Sequence, residues 1–295
     1  MTIQHLPFHL ERKANRPILG QWHLPQTPPK GTILFLHGYK GHMDWGAWSQ
    51  VGDTVAHAGW RFLRINFSHN GTQPENPASF VDLEAFAENT HRRELEEAND
   101  VVRAIRVPSA LHEVGPHQGP LAILGHSRGG GIACLVAAES NSALMPAGIE
   151  GVSHLITLAS VADFQERFPK GDALKAWEKE GRMEVINHRT RQRLQHNWRF
   201  YTDFQAHARR LNIQDAVQRF TGPSLFIHCA DDPAVPVEHA HRLAEWSPHP
   251  TLFIAEKGGH TFDTKEPWNE SSLPAVMQAA MKTALRFLEE GRAVQ

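Results

Sequence analysis

Leu121-Ala122-Ile123-Leu124-Gly125-His126-Ser127-Arg128-Gly129-Gly130-Gly131 is an apolar run that stops abruptly at a serine held between glycines. Four apolar residues bounded by glycine read as a short buried strand. Ile132-Ala133-Cys134-Leu135-Val136-Ala137-Ala138-Glu139 has the length and the small side chains of a packed helix. Ser127 therefore falls on a strand-to-helix turn. Gly125-His126-Ser127-Arg128-Gly129 fits the pattern G-x-S-x-G, in which a strained turn exposes the hydroxyl and small neighbours let strand and helix approach closely. An ordinary glycine-rich turn carries the same letters, so the rest of the chain decides between the two.

Upstream, Thr32-Ile33-Leu34-Phe35-Leu36 is an unbroken apolar strand of the kind buried on both faces of a parallel sheet, and it runs into His37-Gly38-Tyr39-Lys40-Gly41. Glycines there allow a turn that presents backbone N–H groups inward, which acyl transfer needs where negative charge develops. Residues 3–10 and 18–23 read as an edge hairpin around the polar turn at 13–17. Helical spacing over 51–58 and an alternating strand over 61–67 follow, with His69 in the loop at that strand's end. Residues 88–107 read as one amphipathic surface helix ended by Pro108, its Arg-Arg-Glu-Leu-Glu-Glu run a solvated face.

Downstream of Ser127, residues 152–160 supply another buried strand. From 163 to 220 no strand pattern appears; Trp177, Trp198, Phe200, Tyr201 and Phe204 are mixed with arginines, which reads as a helical insertion. Such a segment could wall a pocket with Trp198 and Phe200, or bury its aromatics in a small core of its own. Arg189, Arg191, Arg193 and Arg199 read as a solvated helix face rather than a greeting to an acidic substrate. The sheet resumes with Ser224–Cys229, leading into Ala230-Asp231-Asp232-Pro233-Ala234-Val235-Pro236, and with Thr251–Ile254, leading into Gly258-Gly259-His260. The expected organisation is a core split into residues 1–162 and 221–295 around an insertion at 163–220. Strands alternating with helices imply an α/β fold with a mostly parallel eight-stranded sheet. Ser127, Asp232 and His260 then all follow strands at its carboxyl edge, where the sites of open α/β sheets collect.

The 295 residues carry a net charge of −2, so no sequence-wide field favours nucleic acid or a membrane surface as partner. The two cysteines suit burial as free thiols, the N-terminus lacks a basic segment followed by an apolar core, and the expected compartment is the cytoplasm. Although histidines number 20, none stands in a metal-binding spacing; Glu238-His239-Ala240-His241 reads as a solvated helix start. No metal and no cofactor are expected.

The order serine, acid, histidine, with His37-Gly38-Tyr39-Lys40-Gly41, the turn at Ser127, Asp232-Pro233-Ala234-Val235-Pro236 and Gly259-His260, resembles the α/β-hydrolase superfamily over nearly the whole chain. Within it the sequence is most similar to dienelactone-hydrolase-like and feruloyl (cinnamoyl) esterase-like serine hydrolases. True dienelactone hydrolases carry cysteine where Ser127 stands, so the serine favours an esterase. The resemblance implies Ser127 as nucleophile, His260 as base and Asp232 as its orienting acid, with Asp231 and Asp163 as alternative acids. It further implies an oxyanion hole from the Tyr39 and Arg128 backbone N–H groups, near which His37, His126 and His69 could line the pocket. The expected substrate is a small-molecule ester with a small or aromatic acyl group. An amide or peptide hydrolase of the serine aminopeptidase kind, and a non-catalytic binding protein with the same fold, are the other readings.

Overall fold

The computed structural model describes residues 2–12, 16–107, 114–115, 119–140, 150–187 and 190–290; Pro108, Arg189 and part of the expected turn at 13–17 lie outside them. Strands β1 (Gln4–Leu10), β2 (Ile18–Leu24), β3 (Thr32–Leu36), β4 (Arg61–Asn66), β5 (Leu121–His126) and β6 (His154–Leu158) precede a separate hairpin, β7 (Arg182–Ile186) with β8 (Arg193–Asn197). After the hairpin come β9 (Ser224–Cys229) and β10 (Pro250–Ala255). Eight of the strands make one sheet in the order β1-β2-β4-β3-β5-β6-β9-β10. The first two join it antiparallel and every other pairing is parallel. Every residue of β3, β5, β6 and β9 is buried, which explains their unbroken apolar runs: helices cover both faces.

One face carries α3 (His91–Arg106), α4 (Arg128–Ser140), α7 (Ile213–Arg219) and α8 (Glu238–Trp246), packed through residues such as Leu95, Val101, Ile132, Val217 and Leu243. The other carries α1 (Trp48–His57) and α9 (Ala275–Glu290), packed through Val51, Val55, Met277, Met281 and Leu288. Among the described residues no helix is long and apolar enough to cross a membrane.

Two expectations are corrected. The helix expected over 88–107 forms as α3 but starts at His91, because Thr90 is extended and its hydroxyl accepts from Arg93 N–H as an N-cap, and Glu88 instead closes a separate short helix, α2 (Leu83–Glu88). The segment 163–220 contains α5 (Asp172–Glu180), α6 (Arg199–Ala206) and α7, but also the β7–β8 hairpin. Each hairpin strand is five residues long, with Met183 and Val185 the half-buried alternation of β7 and only Leu194 apolar in β8; so short a run leaves almost no period to detect.

Candidate active site

The turn at Ser127 is strained as its glycines imply. Ser127 has φ +54, its N–H donates to Leu158 C=O at 2.9 Å, and its own C=O accepts from Gly130 and Val161. A Cβ on Gly125 would lie 2.2 Å from Gly129 O, and one on Gly129 would lie 2.4 Å from Leu36 O. Strand β5, the start of α4 and the end of β3 thus touch backbone to backbone, and that contact fixes where the hydroxyl points.

His260 bridges the serine and the acid: its Nδ1 lies 2.8 Å from Asp232 Oδ2 and its Nε2 2.9 Å from Ser127 Oγ. The carboxylate can only accept, so Nδ1 carries the proton and Nε2 offers its lone pair to the hydroxyl. Asp232 Oδ1 also accepts from the Ala234 and Val235 N–H groups at 2.8 and 3.0 Å. A second histidine, His228 at the end of β9, is fully buried with its Nε2 2.8 Å from Val235 O and 3.3 Å from Asp232 Oδ2. Both of those partners are acceptors, so Nε2 bears the proton. Burial alone would raise the Asp232 carboxyl, yet the hydrogen bonds from His228 and His260, the His260 charge and the Val235 N–H outweigh it and hold the group well below the usual carboxylate range.

The alternative acids are engaged elsewhere. Asp231 accepts from the N–H groups of Gly258 (3.3 Å) and Gly259 (2.8 Å), bracing the loop that carries His260, while Asp163 accepts from Gln165 N–H.

Ser127 and His260 open on a cavity of ≈ 390 Å³ walled by Tyr39, Arg128, Val161 and Val235 from the sheet edge and by Phe164, Phe168, Trp177, Met183, Val185, His196 and Phe200 from the segment after β6. Among the described residues, the Tyr39 and Arg128 backbone N–H groups have no hydrogen-bond partner, and both residues border the cavity beside Ser127. Of the expected pocket residues, only Phe200 lines it. His37 is buried behind the turn with Nδ1 2.9 Å from Gly38 O, and burial lowers it to about 3. His126 donates from Nε2 to His260 O at 2.9 Å and is lowered to about 3 by burial and then by the neighbouring His260. Trp198 packs behind Trp177 and Tyr201, and His69 joins a different cluster with Ser68.

Several wall residues escaped the sequence reading. His91 lies between Phe164 and Phe200 with ring centroids 4.1 and 4.6 Å away, and His196 stacks on Phe200 at 4.4 Å with Nε2 2.8 Å from the Tyr39 hydroxyl. Burial, with Arg128 adding to it, lowers His91 well below the ordinary range and His196 to about 3, so both rings are neutral. Glu94 is the larger correction to the solvated-face reading. It is 1 % exposed, accepts from Arg128 Nη2 at 2.5 Å and from Asn89 Nδ2 at 2.8 Å, and burial raises its carboxyl against the pull of Arg128. Its signal was in the spacing: Glu94, Ala98, Val101 and Ile105 stand at i, i+4, i+7 and i+11, on one helical face.

His5, His23 and Asp53 place their ligand atoms within 4.8 Å of one another. Arg64 Nε donates to His23 Nε2 at 2.9 Å, however, so His23 Nδ1 bears the proton and donates to Asp53 at 2.7 Å. A metal would need that lone pair free; the trio is a hydrogen-bonded clamp between β1, β2 and α1.

The model of the Alpha/beta hydrolase family matches residues 33–270. No curated protein matches by sequence. Among solved structures the chain is similar to Est1E from Butyrivibrio proteoclasticus with ferulic acid bound, at 16% identity and TM-score 0.71 over 97% of this chain and 99% of that one. It is also similar to mouse alpha/beta hydrolase domain-containing protein 10 (17%, 0.64, 98% and 98%). A third similarity is to the acylaminoacyl peptidase of Pyrococcus horikoshii (13%, 0.62, 98% of this chain but 42% of that one). At such identities the structures speak for the fold, whereas the family model spans most of the sequence: the chain belongs to the alpha/beta hydrolase family.

Proposed function

We propose that this protein is a serine hydrolase that cleaves carboxylic esters of small or aromatic acyl groups through an acyl-enzyme. The observation that carries the reading is the His260 bridge, 2.9 Å to Ser127 Oγ on one side and 2.8 Å to Asp232 on the other. A neutral hydroxyl is a weak nucleophile, so His260 Nε2 takes the Ser127 proton as Oγ attacks the acyl carbon, then returns it to the departing alcohol. Asp232 fixes the tautomer and stabilises the imidazolium. The Tyr39 and Arg128 N–H groups hold the oxyanion, each donor lowering the barrier by on the order of 3 kcal/mol in sites of this type. Water then enters by the same proton path and frees the acid. The aromatic walls, from Phe164 to Trp177 and Phe200, favour a flat or apolar acyl group, and the ferulate held by Est1E is a flat acid of that kind. Residues 163–220 act as the lid that supplies those walls. Buried free thiols at Cys134 and Cys229 suit a reducing compartment, and we assign the protein to the cytoplasm on that ground.

The test pairs p-nitrophenyl esters of increasing acyl length with the matching p-nitroanilides, alongside intact-mass detection of a fluorophosphonate adduct. Ester turnover with a pre-steady-state burst and a single adduct at Ser127 is expected. Anilides cleaved as fast as esters would shift the reading to an amide hydrolase, and a folded protein with neither adduct nor turnover would sink the enzymatic reading.

A further inference from the structure

The charges around the cavity are unevenly matched. Three cations border it, Lys40, Arg128 and Arg167, and no carboxylate does. Acidic side chains stand close by, but each is already taken. Glu94 accepts from Arg128, Glu166 binds Arg242 through both oxygens at 2.9 and 3.1 Å, Glu184 pairs with Arg193 and Asp232 with His260. Among the described residues Lys40 and Arg167 are left with no acidic partner; Lys40 Nζ reaches only the Ile186 carbonyl at 3.1 Å and the Tyr39 ring at 5.2 Å. The arginines of 191–199 differ: Arg193 and Arg199 pair with Glu184 and Glu88 outside the cavity.

We infer that the site selects esters that carry an ionised carboxylate, held by Lys40 and Arg167 at the cavity rim while the apolar part of the substrate lies against the aromatic walls. This rests on the ester-hydrolase reading. The physical basis is that the apolar walls focus the field of the two unmatched cations, half-buried Lys40 and exposed Arg167, at the mouth of the cavity, where a substrate anion meets them at low salt. Arg128 differs in that its charge is already matched by buried Glu94, which accepts from its Nη2, while its guanidinium lies 4.8 Å from the Tyr39 ring centroid as part of the wall.

The test compares mono-p-nitrophenyl adipate with p-nitrophenyl hexanoate, which share leaving group and chain length and differ in a terminal carboxylate or methyl. A second pair, 4-carboxyphenyl hexanoate and its methyl-ester counterpart, moves the charge to the alcohol side. In one pair kcat/KM for the anion should exceed that for the neutral ester by about tenfold at low salt, the advantage shrinking towards one as salt screens the rim charges. The pair showing the gain assigns the side of the scissile bond. In a Lys40→Met, Arg167→Met double variant the ratio should fall to about one. A ratio taken within one protein cancels any general loss of fold or rate. Preference for the neutral ester in both pairs, or an advantage that survives the double substitution, overturns the inference. If neither pair is turned over and Ser127 takes no fluorophosphonate, the hydrolase reading has failed instead. Calorimetric titration of the Ser127→Ala protein with monoethyl adipate and ethyl hexanoate then decides the carboxylate question without turnover: salt-sensitive binding of the anion alone supports it, equal or absent binding of both refutes it.

Discussion

Two clusters of serine, histidine and acid among the described residues are wired in opposite senses. In the first, His260 stands between Ser127 and Asp232, so the imidazole can draw a proton from the hydroxyl while the acid steadies it. In the second, Ser68 stands in the middle: its Oγ donates to Glu97 Oε1 and lies 2.6 Å from His69 Nδ1, while its N–H donates to Glu97 Oε2 at 2.8 Å. The Ser68 proton is committed to a carboxylate, and His69 is lowered to about 3 by burial and then by Arg93 and Arg16, with no acid among the described residues hydrogen-bonded to its far nitrogen. The acids differ in the same way. Asp232 is kept ionised by donors on both oxygens, whereas burial pushes Glu97 up to about 7 in spite of its bonds to Ser68. The same three residue types give in one order the arrangement a general base requires and in the other a buried structural brace.

The largest expected effect separates them outright. Ser127→Ala should lower kcat for p-nitrophenyl esters on the order of 10⁴-fold or more and abolish fluorophosphonate labelling. Ser68→Ala should keep both within about twofold and instead lower stability by about 1–3 kcal/mol, measured by urea unfolding, because Glu97 loses a donor. Labelling that moved to Ser68, or survived in Ser127→Ala, would break the distinction. Next in size is Gly129→Val. A Cβ there lies within 2.5 Å of both Leu36 O and His37 O, and backbone cannot yield as a side chain can. The variant should lose about 4 kcal/mol or fail to fold, against less than 0.5 kcal/mol for a substitution at exposed Lys170.

What could be read in the residues alone follows the same division. The turn at Ser127 was legible because backbone strain and close approach demand glycine at fixed spacing, and the sheet was legible because strands buried on both faces leave unbroken apolar runs. Asp232 and His260 were placed by their positions after strands. The cavity wall was not legible: Phe168, Trp177, His196 and Phe200 meet only through the folding of the β7–β8 hairpin back over the sheet edge, and no local period encodes that. His69 shows the limit from the other side. A histidine after a strand at the ligand-facing edge was a fair candidate, but the side chain turns towards Ser68, and only the geometry tells it from His260.

Glu97 offers a pH test of the brace. Its folded value of about 7 lies above the ordinary value of 4.5, so the folded state holds the proton more tightly than the unfolded one. That contribution is complete below pH 4.5 and is lost as pH rises through 7, a swing of about 3 kcal/mol. Buried neutral histidines run the other way: His37, His126 and His196, lowered to about 3, add stability as pH rises from there to 6.5. The wild-type curve therefore mixes both signs, and the difference between wild type and Glu97→Gln isolates the carboxyl. The variant should gain on wild type steadily from pH 5 to 8, by up to about 3 kcal/mol in denaturant unfolding. A constant difference across that range would mean that Glu97 is ionised in the fold, and the two acids would no longer be opposites.

The smallest effect tests the other acid. Asp232 stays ionised because four donors converge on it, and His228 is the one side chain among them that makes no contact with Ser127, its Nε2 being shared between Asp232 Oδ2 at 3.3 Å and the Val235 carbonyl at 2.8 Å. His228→Leu takes away an N–H 3.3 Å from Oδ2 and leaves an apolar group in a fully buried position. The carboxylate then loses orientation and, relieved of a donor, protonates at a higher pH. We expect kcat to fall about tenfold with KM little changed, and the variant to lose activity on acidification sooner than wild type. His228→Gln, which can still present an N–H, should recover part of both. A loss of stability with kcat and the acid limb unmoved would make His228 a brace like Ser68, serving the fold and not the charge of Asp232.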